Sequence, residues 1–386
     1  MIVDVDTHWE ITGDSAGVDP MKPWADQIPD NRTHLANAIA GDLLQVLPAD
    51  RLPSPAELLP KLFERAEESG GPVILHPRHD STAAERVAWM DSVGIDHCLV
   101  NPGGYWQKLD YLRPEDRVVA AQRCNDFLTD QLSDQHNRLH TVATIDFSDL
   151  DHAVAELERC RERGSRAFFL YTCRGAPAGG PPGHPDWDQV WAAATSLGMV
   201  AVIHVGNTES DFSKWADIGW DLPDGAGIGG LIRLANTQRL HAAQNLIASM
   251  LFGGVFHRFP DLTVLVEEMR AGWLPWYVAT LSRQCLSSPS LGDWPWPTSG
   301  EEMLHRNLRL TPLPGFGDTD ALEVLAALPD MVVFSSDYPH QEGNADPIEL
   351  YRPALNELDD EVRTAFMGAT AAECFARIGD PLPAVR

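Results

Sequence analysis

Residues 1–10 read MIVDVDTHWE, and the reading of that stretch governs the rest of the chain. Residues 2–6 are an apolar, β-branched run of strand length. Along it Asp4, Asp6 and His8 alternate, so an extended backbone puts all three on one side. Polar groups facing a barrel interior are costly to bury unless something satisfies them. A cation at the C-terminal end of the strand would satisfy Asp6 and His8. Ordinary strand-end capping is the competing reading, because a DxH triplet is a weak signal alone.

Outward from this strand, similar runs recur at residues 98–101, 140–145, 167–171, 200–205, 262–266, 308–313 and 331–335. Amphipathic stretches lie between them, such as 151–163 and 187–197, with apolar residues at three- and four-residue steps. Eight strand candidates alternating with helices predict an α/β fold, a (β/α)8 TIM barrel with inserted loops and C-terminal helices. A doubly wound open sheet is the rival, although its dinucleotide-binding form lacks a GxGxxG after the first strand. One domain over residues 1–386 is expected, with insertions near 20–72, 207–230 and 287–300. The first two follow strands and so fall on the catalytic face; the third follows a helix.

Composition narrows the function. A formal net charge of −27 argues against nucleic-acid binding, which needs clustered Lys and Arg. The six cysteines are scattered without a CxxC pair, so buried thiols are expected rather than a disulfide frame or zinc knot. No apolar run approaches the roughly 20 residues that cross a bilayer, and the first residues lack a signal-peptide pattern. A cytoplasmic enzyme acting on a small molecule is the expectation.

In a barrel, residues at strand C-termini meet at one mouth. His204 ends the fifth strand in VAVIHVG, and Asp337 ends the eighth in MVVFSSDYPHQEG. Together with Asp6 and His8 they form a four-ligand set suited to a divalent metal, Zn²⁺ first and Mn²⁺ also acceptable. Glu268 closes strand six, either at the site or, with Glu267, as a helix N-terminal acid. His340 and Glu342 follow Asp337 and could orient it or bind substrate. Arg78, Arg174, Arg270 and Arg306 are candidate carboxylate clamps, and Trp9, Tyr105 and Trp106 candidate aromatic walls. Solvation or core packing is the alternative for each.

Taken together, GMVAVIHVG, GGVFHRFPDLTVLVEEMRAGWLPW and FSSDYPHQEG resemble the amidohydrolase-related family that includes aminocarboxymuconate-semialdehyde and resorcylate decarboxylases. The likeness runs over almost the whole chain and implies metal ligands at Asp6, His8, His204 and Asp337. It also implies a homodimer. Three departures stand out. The first-strand motif is DxH where HxH or ExH is usual, Glu268 replaces a histidine of those decarboxylases, and Thr370 replaces an asparagine. The resemblance favours non-oxidative decarboxylation of a small carboxylated aromatic or unsaturated acid, with Asp337 as proton donor and Glu268 and His340 assisting. Hydrolysis of an amide, lactone or ester is the alternative, since the same ligands serve both chemistries.

Overall fold

The structure is a computed structural model, and it describes residues 1–9, 19–28, 82–103, 108–170, 180–205, 240–286, 292–313, 320–340 and 343–385. Strands and helices alternate as β1 (Val3–His8), α1 (Ala83–Val93), β2 (His97–Asn101), α2 (Pro114–Gln131), β3 (Leu139–Ala143), α3 (Leu150–Glu162) and β4 (Ala167–Phe169). Then come α4 (Asp188–Leu197), β5 (Val200–His204), α5 (Leu240–Phe252), β6 (Val264–Glu267), α6 (Leu274–Gln284), α7 (Gly300–Asn307) and β7 (Leu308–Leu310). After α8 (Asp320–Ala327), the chain continues with α9 (Pro347–Leu355), α10 (Asp360–Thr364) and α11 (Thr370–Arg377).

The seven strands pair in sequence order, and every pairing is parallel. Parallel strands covered by helices are buried on both faces, which is why they read as unbroken apolar runs such as VAVI and VLV. Local signals set the helices. α1 begins with a capping box, in which Thr82 accepts from the Glu85 amide and the Glu85 carboxylate accepts from the Thr82 amide. It ends at Gly94, whose φ of 83° a side chain would oppose.

The eighth strand differs from expectation. Residues 331–338 make two isolated parallel bridges, Leu310 to Val332 and Thr7 to Tyr338, in place of a continuous ladder. The segment still closes the ring. On one side Val333 donates to Leu310; on the other Val5 donates to Phe334 O and His8 to Tyr338 O. Two of its amides are diverted, since Phe334 bonds to Phe366 O and Ser336 to the Asp4 carboxylate. A ladder cannot form where its donors are already engaged.

The alternation along β1 is also interrupted. Asp4 pairs with Cys98 but Thr7 with Val100, which is a one-residue bulge. Asp4 Oδ1 accepts from the Ser336 amide and from the Asp6 amide. Of the three insertions, most of 20–72, all of 207–230 and the start of 287–300 lie outside the described residues. The described cysteines form no disulfide, and four of the five are buried. Among the described residues no helix is long and apolar enough to cross a membrane.

Candidate metal centre

Four elements deliver the site. β1 ends in Asp6 and His8, β5 ends in His204, Glu268 follows β6, and Asp337 lies on the segment that closes the ring. Glu268 and Asp337 have φ of 56° and 52°, the left-handed region that side chains other than those of Asn and Asp seldom occupy. Such backbone costs about 1–2 kcal/mol per residue. Here it turns both carboxylates into the mouth in place of continuing the strand direction. Gly343 makes the second turn possible. A Cβ there would lie 2.3 Å from Asp337 O and 2.5 Å from Ser336 O, so the returning chain packs directly under Asp337.

The side chains converge on His8. Its Nε2 lies 3.2 Å from Asp6 Oδ1, 3.2 Å from Glu268 Oε1, 3.3 Å from Asp337 Oδ1 and 3.3 Å from His204 Nε2. His204 Nε2 is 3.3 Å from Glu268 Oε1. Two donors bound to one ion at about 2.0–2.2 Å stand roughly 3–3.5 Å apart, so these edges match a shared ion. The gathered atoms of Asp6, His8, His204 and Glu268 all lie within 4.8 Å of one another, as do those of His8, Glu268, Asp337 and His340.

Supporting contacts orient the donors. His204 Nδ1 donates to Val205 O at 2.7 Å, because a carbonyl can only accept, and this leaves the Nε2 lone pair facing the cluster. Asn101 Nδ2 donates to Asp6 Oδ1 at 3.0 Å and to Glu267 Oε2 at 2.9 Å. His340 stacks on His8 at 3.9 Å, with Nδ1 2.9 Å from Asp337 Oδ1. Its side chain, at 12% exposed, is the most accessible of the cluster.

Five carboxyls, Asp4, Asp6, Glu267, Glu268 and Asp337, are buried in this small volume. Burial, then the Glu268 charge, pushes the Asp337 carboxyl up to about 8. Burial, then Asp6, holds Glu267 well above the usual range, and burial raises Asp4 to about 7. Burial works against the Glu268 carboxylate too, but His204, His340 and His8 outweigh it and keep its pKa well below normal. Burial and His340 oppose charge on His8, yet hydrogen bonds to Asp337, Asp6 and Glu268 carry its pKa well above normal. The volume as a whole is short of positive charge. Among the described residues, Asp6 Oδ2 and Asp337 Oδ2 are buried without a hydrogen-bond partner. A donor set of carboxylates and imidazoles with unpartnered oxygens fits a divalent cation.

Of the four expected ligands, Asp6, His8 and His204 fall in one cluster with Glu268, whereas Asp337 falls with His340 in a second cluster that shares His8 and Glu268 with the first. Glu268, expected to act on substrate, places Oε1 among the ligand atoms. The expected walls and clamps are scattered. Trp9 is 4% exposed and packs in the core with its ring against Arg86. Arg270 is exposed two residues beyond Glu268. Arg306 sits before β7, away from the mouth, and donates to Phe256 O. Arg78, Tyr105, Trp106, Arg174 and Glu342 lie outside the described residues. Asn101 and Arg86 escaped sequence reasoning. An asparagine closing a buried strand and an arginine on the apolar face of α1 were the available signals.

An amidohydrolase family model matches residues 3–377. Gamma-resorcylate decarboxylase from Polaromonas sp. (strain JS666 / ATCC BAA-500) is 23% identical over 264 residues, 66% of this chain and 76% of that protein. The 2-amino-3-carboxymuconate-6-semialdehyde decarboxylase of Dictyostelium discoideum is 24% identical over 274 residues, 70% of this chain and 68% of that one. Among solved structures, dihydroxybenzoic acid decarboxylase from Polaromonas sp. JS666, with bound manganese and the inhibitor 2-nitroresorcinol, superposes with a TM-score of 0.60. It is 17% identical, and the match covers 97% of this chain and 96% of that one. The barrel architecture is shared.

Proposed function

The chain belongs to the amidohydrolase family, and from that premise we propose that it is a metal-dependent carboxy-lyase. It removes CO2 without oxidation from a small carboxylated aromatic or unsaturated acid, as the names of its decarboxylase relatives suggest. Two overlapping clusters carry the reading, Asp6, His8, His204 and Glu268 on one side and His8, Glu268, Asp337 and His340 on the other, joined through His8 and Glu268. Asp6, His8, His204 and Asp337 would hold the ion, and Glu268 would add an oxygen where related decarboxylases have a histidine. A set with three carboxylates suits Mn²⁺ at least as well as Zn²⁺.

When bound, the ion supplies positive charge that offsets the electron pair left on the substrate as CO2 departs. The carbon that loses the carboxylate must gain a proton. Asp337, at the mouth with Oδ1 2.9 Å from His340 Nδ1, is the donor we assign. His340, in contact with Asp337 and open to solvent, would return a proton for the next turnover. Arg270 stands as the candidate for substrate-carboxylate contact, as does Arg174; Trp9 would act by packing behind His8. A homodimer accompanies this reading on the resemblance alone.

Release of CO2, measured beside hydrolytic products over a panel of carboxylated phenols, amides and lactones, tests the proposal. CO2 from at least one acid, abolished in Asp337→Asn, is expected. Hydrolysis of a lactone, ester or amide with no CO2 from any acid would overturn it.

A further inference from the structure

Arg86 is 1% exposed, on the core face of α1 with Met90 one turn on. A buried guanidinium is disfavoured unless its hydrogen bonds are met. Its Nη2 donates to His8 O at 2.5 Å, and its Nη1 to Thr7 Oγ1 at 3.1 Å. The Thr7 hydroxyl donates onward to Leu99 O on β2 at 2.6 Å. Three rings surround the cation, with Cζ 5.0 Å from the Tyr338 centroid, 5.6 Å from Trp9 and 5.8 Å from Trp89. Trp89 stacks on Tyr338 at 3.9 Å, and its indole donates to Ala345 O.

The residues touched are the neighbours of the proposed ligands. Thr7 lies between Asp6 and His8, and Tyr338 follows Asp337. Between these two segments the ring closes without a regular ladder, on three backbone bonds, Val5 N to Phe334 O, Asp337 N to Asp6 O and His8 N to Tyr338 O, with Ser336 N on the Asp4 carboxylate. We propose that Arg86 is a positioning residue that bolts this seam and so sets the spacing of His8 and Asp337 around the ion. The inference rests on the metal reading above. Lysine is not equivalent here, because the planar fork reaches a carbonyl and a hydroxyl with two separate nitrogens while its delocalised cation sits among three rings. A purely structural core position would be served as well by methionine or leucine.

The test compares Mn²⁺ affinity, by chelator competition, with the melting temperature of metal-stripped protein for the full-length wild type, Arg86→Met, Arg86→Lys and Thr7→Val. Supporting residues behind metal ligands typically account for about 10–100-fold in affinity. That loss is expected in both Arg86 variants, with a smaller one in Thr7→Val, while metal-free melting changes little. Should Arg86→Met fail to fold, Thr7→Val removes one fork contact from an otherwise intact core and decides the matter. Variants that melt earlier yet bind Mn²⁺ as tightly as wild type would overturn the positioning role. Wild-type protein that binds no divalent ion would instead overturn the metal reading itself.

Discussion

The two ends of the barrel bury the same residue type with opposite results. At the mouth, His8 and His204 sit among Asp6, Glu268 and Asp337, and although burial opposes it their pKa values are raised. At the base, where the strands begin, His97 Nδ1 meets His140 Nε2 at 3.0 Å, and His97 Nε2 donates to Pro383 O at 2.9 Å. Burial lowers both of these, helped for His140 by Arg166 and for His97 by Arg166 and Arg138. Burial is common to all four; the sign of the neighbouring charges differs. The base is rich in cations, with Arg161 and Arg166 both paired to the single carboxylate of Asp380. The mouth gathers acceptors without enough donors, which is the arrangement of a site that receives a cation.

The largest effect is expected where the mouth loses an acceptor. Asp337→Asn should lower turnover by about 10²–10⁴-fold and leave metal-free stability little changed, since a carboxyl raised to about 8 is already largely uncharged at neutral pH. CO2-release rates beside thermal melts check this. Next comes Gly343→Ala, whose Cβ would strike Asp337 O. Overpacking of this kind costs about 1–3 kcal/mol, and turnover should fall with it because the displaced atom belongs to Asp337; melting and kinetics of the variant are the readout.

The base predicts a pH effect of the opposite kind. A histidine whose folded pKa is depressed takes up its proton less readily than in the unfolded chain. Its stabilising contribution is therefore complete above about pH 6.5 and is lost as pH falls toward the folded value, at up to about 1.4 kcal/mol per pH unit. His140→Gln keeps a donor for His97 but cannot titrate. Denaturation between pH 7 and 5 should show a shallower loss for this variant than for wild type, with neutral-pH turnover unchanged. The smallest effect belongs to Ala371→Val, into the small apolar cavity lined by Val5, Leu99, Val333 and Cys374. A change in stability under about 1.5 kcal/mol, at constant turnover, would sharpen the division between the ends.

Much of this was legible in the sequence. The apolar runs located seven strands to within a few residues, because burial on both faces leaves an uninterrupted pattern. Strand C-termini meet at one mouth, so position alone brings Asp6, His8 and His204 together and Asp337 beside His8. What escaped depends on three-dimensional detail. The bulge between Asp4 and Thr7 carries no composition signal. The eighth strand is irregular because Asp4 and Phe366 capture its amides, a partnership between distant residues. Glu268 joins the ligand atoms only through its left-handed backbone, and Arg86 looked like any helix arginine until its aromatic surroundings were known.

The most direct test counts ions. Metal-stripped protein titrated with Mn²⁺ in a calorimeter should bind one ion per chain, and His8→Ala should weaken that binding by at least about 100-fold with little change in metal-free melting. Equal affinity in His8→Ala, or no binding by the wild type, would contradict the claim that these side chains converge to hold a cation.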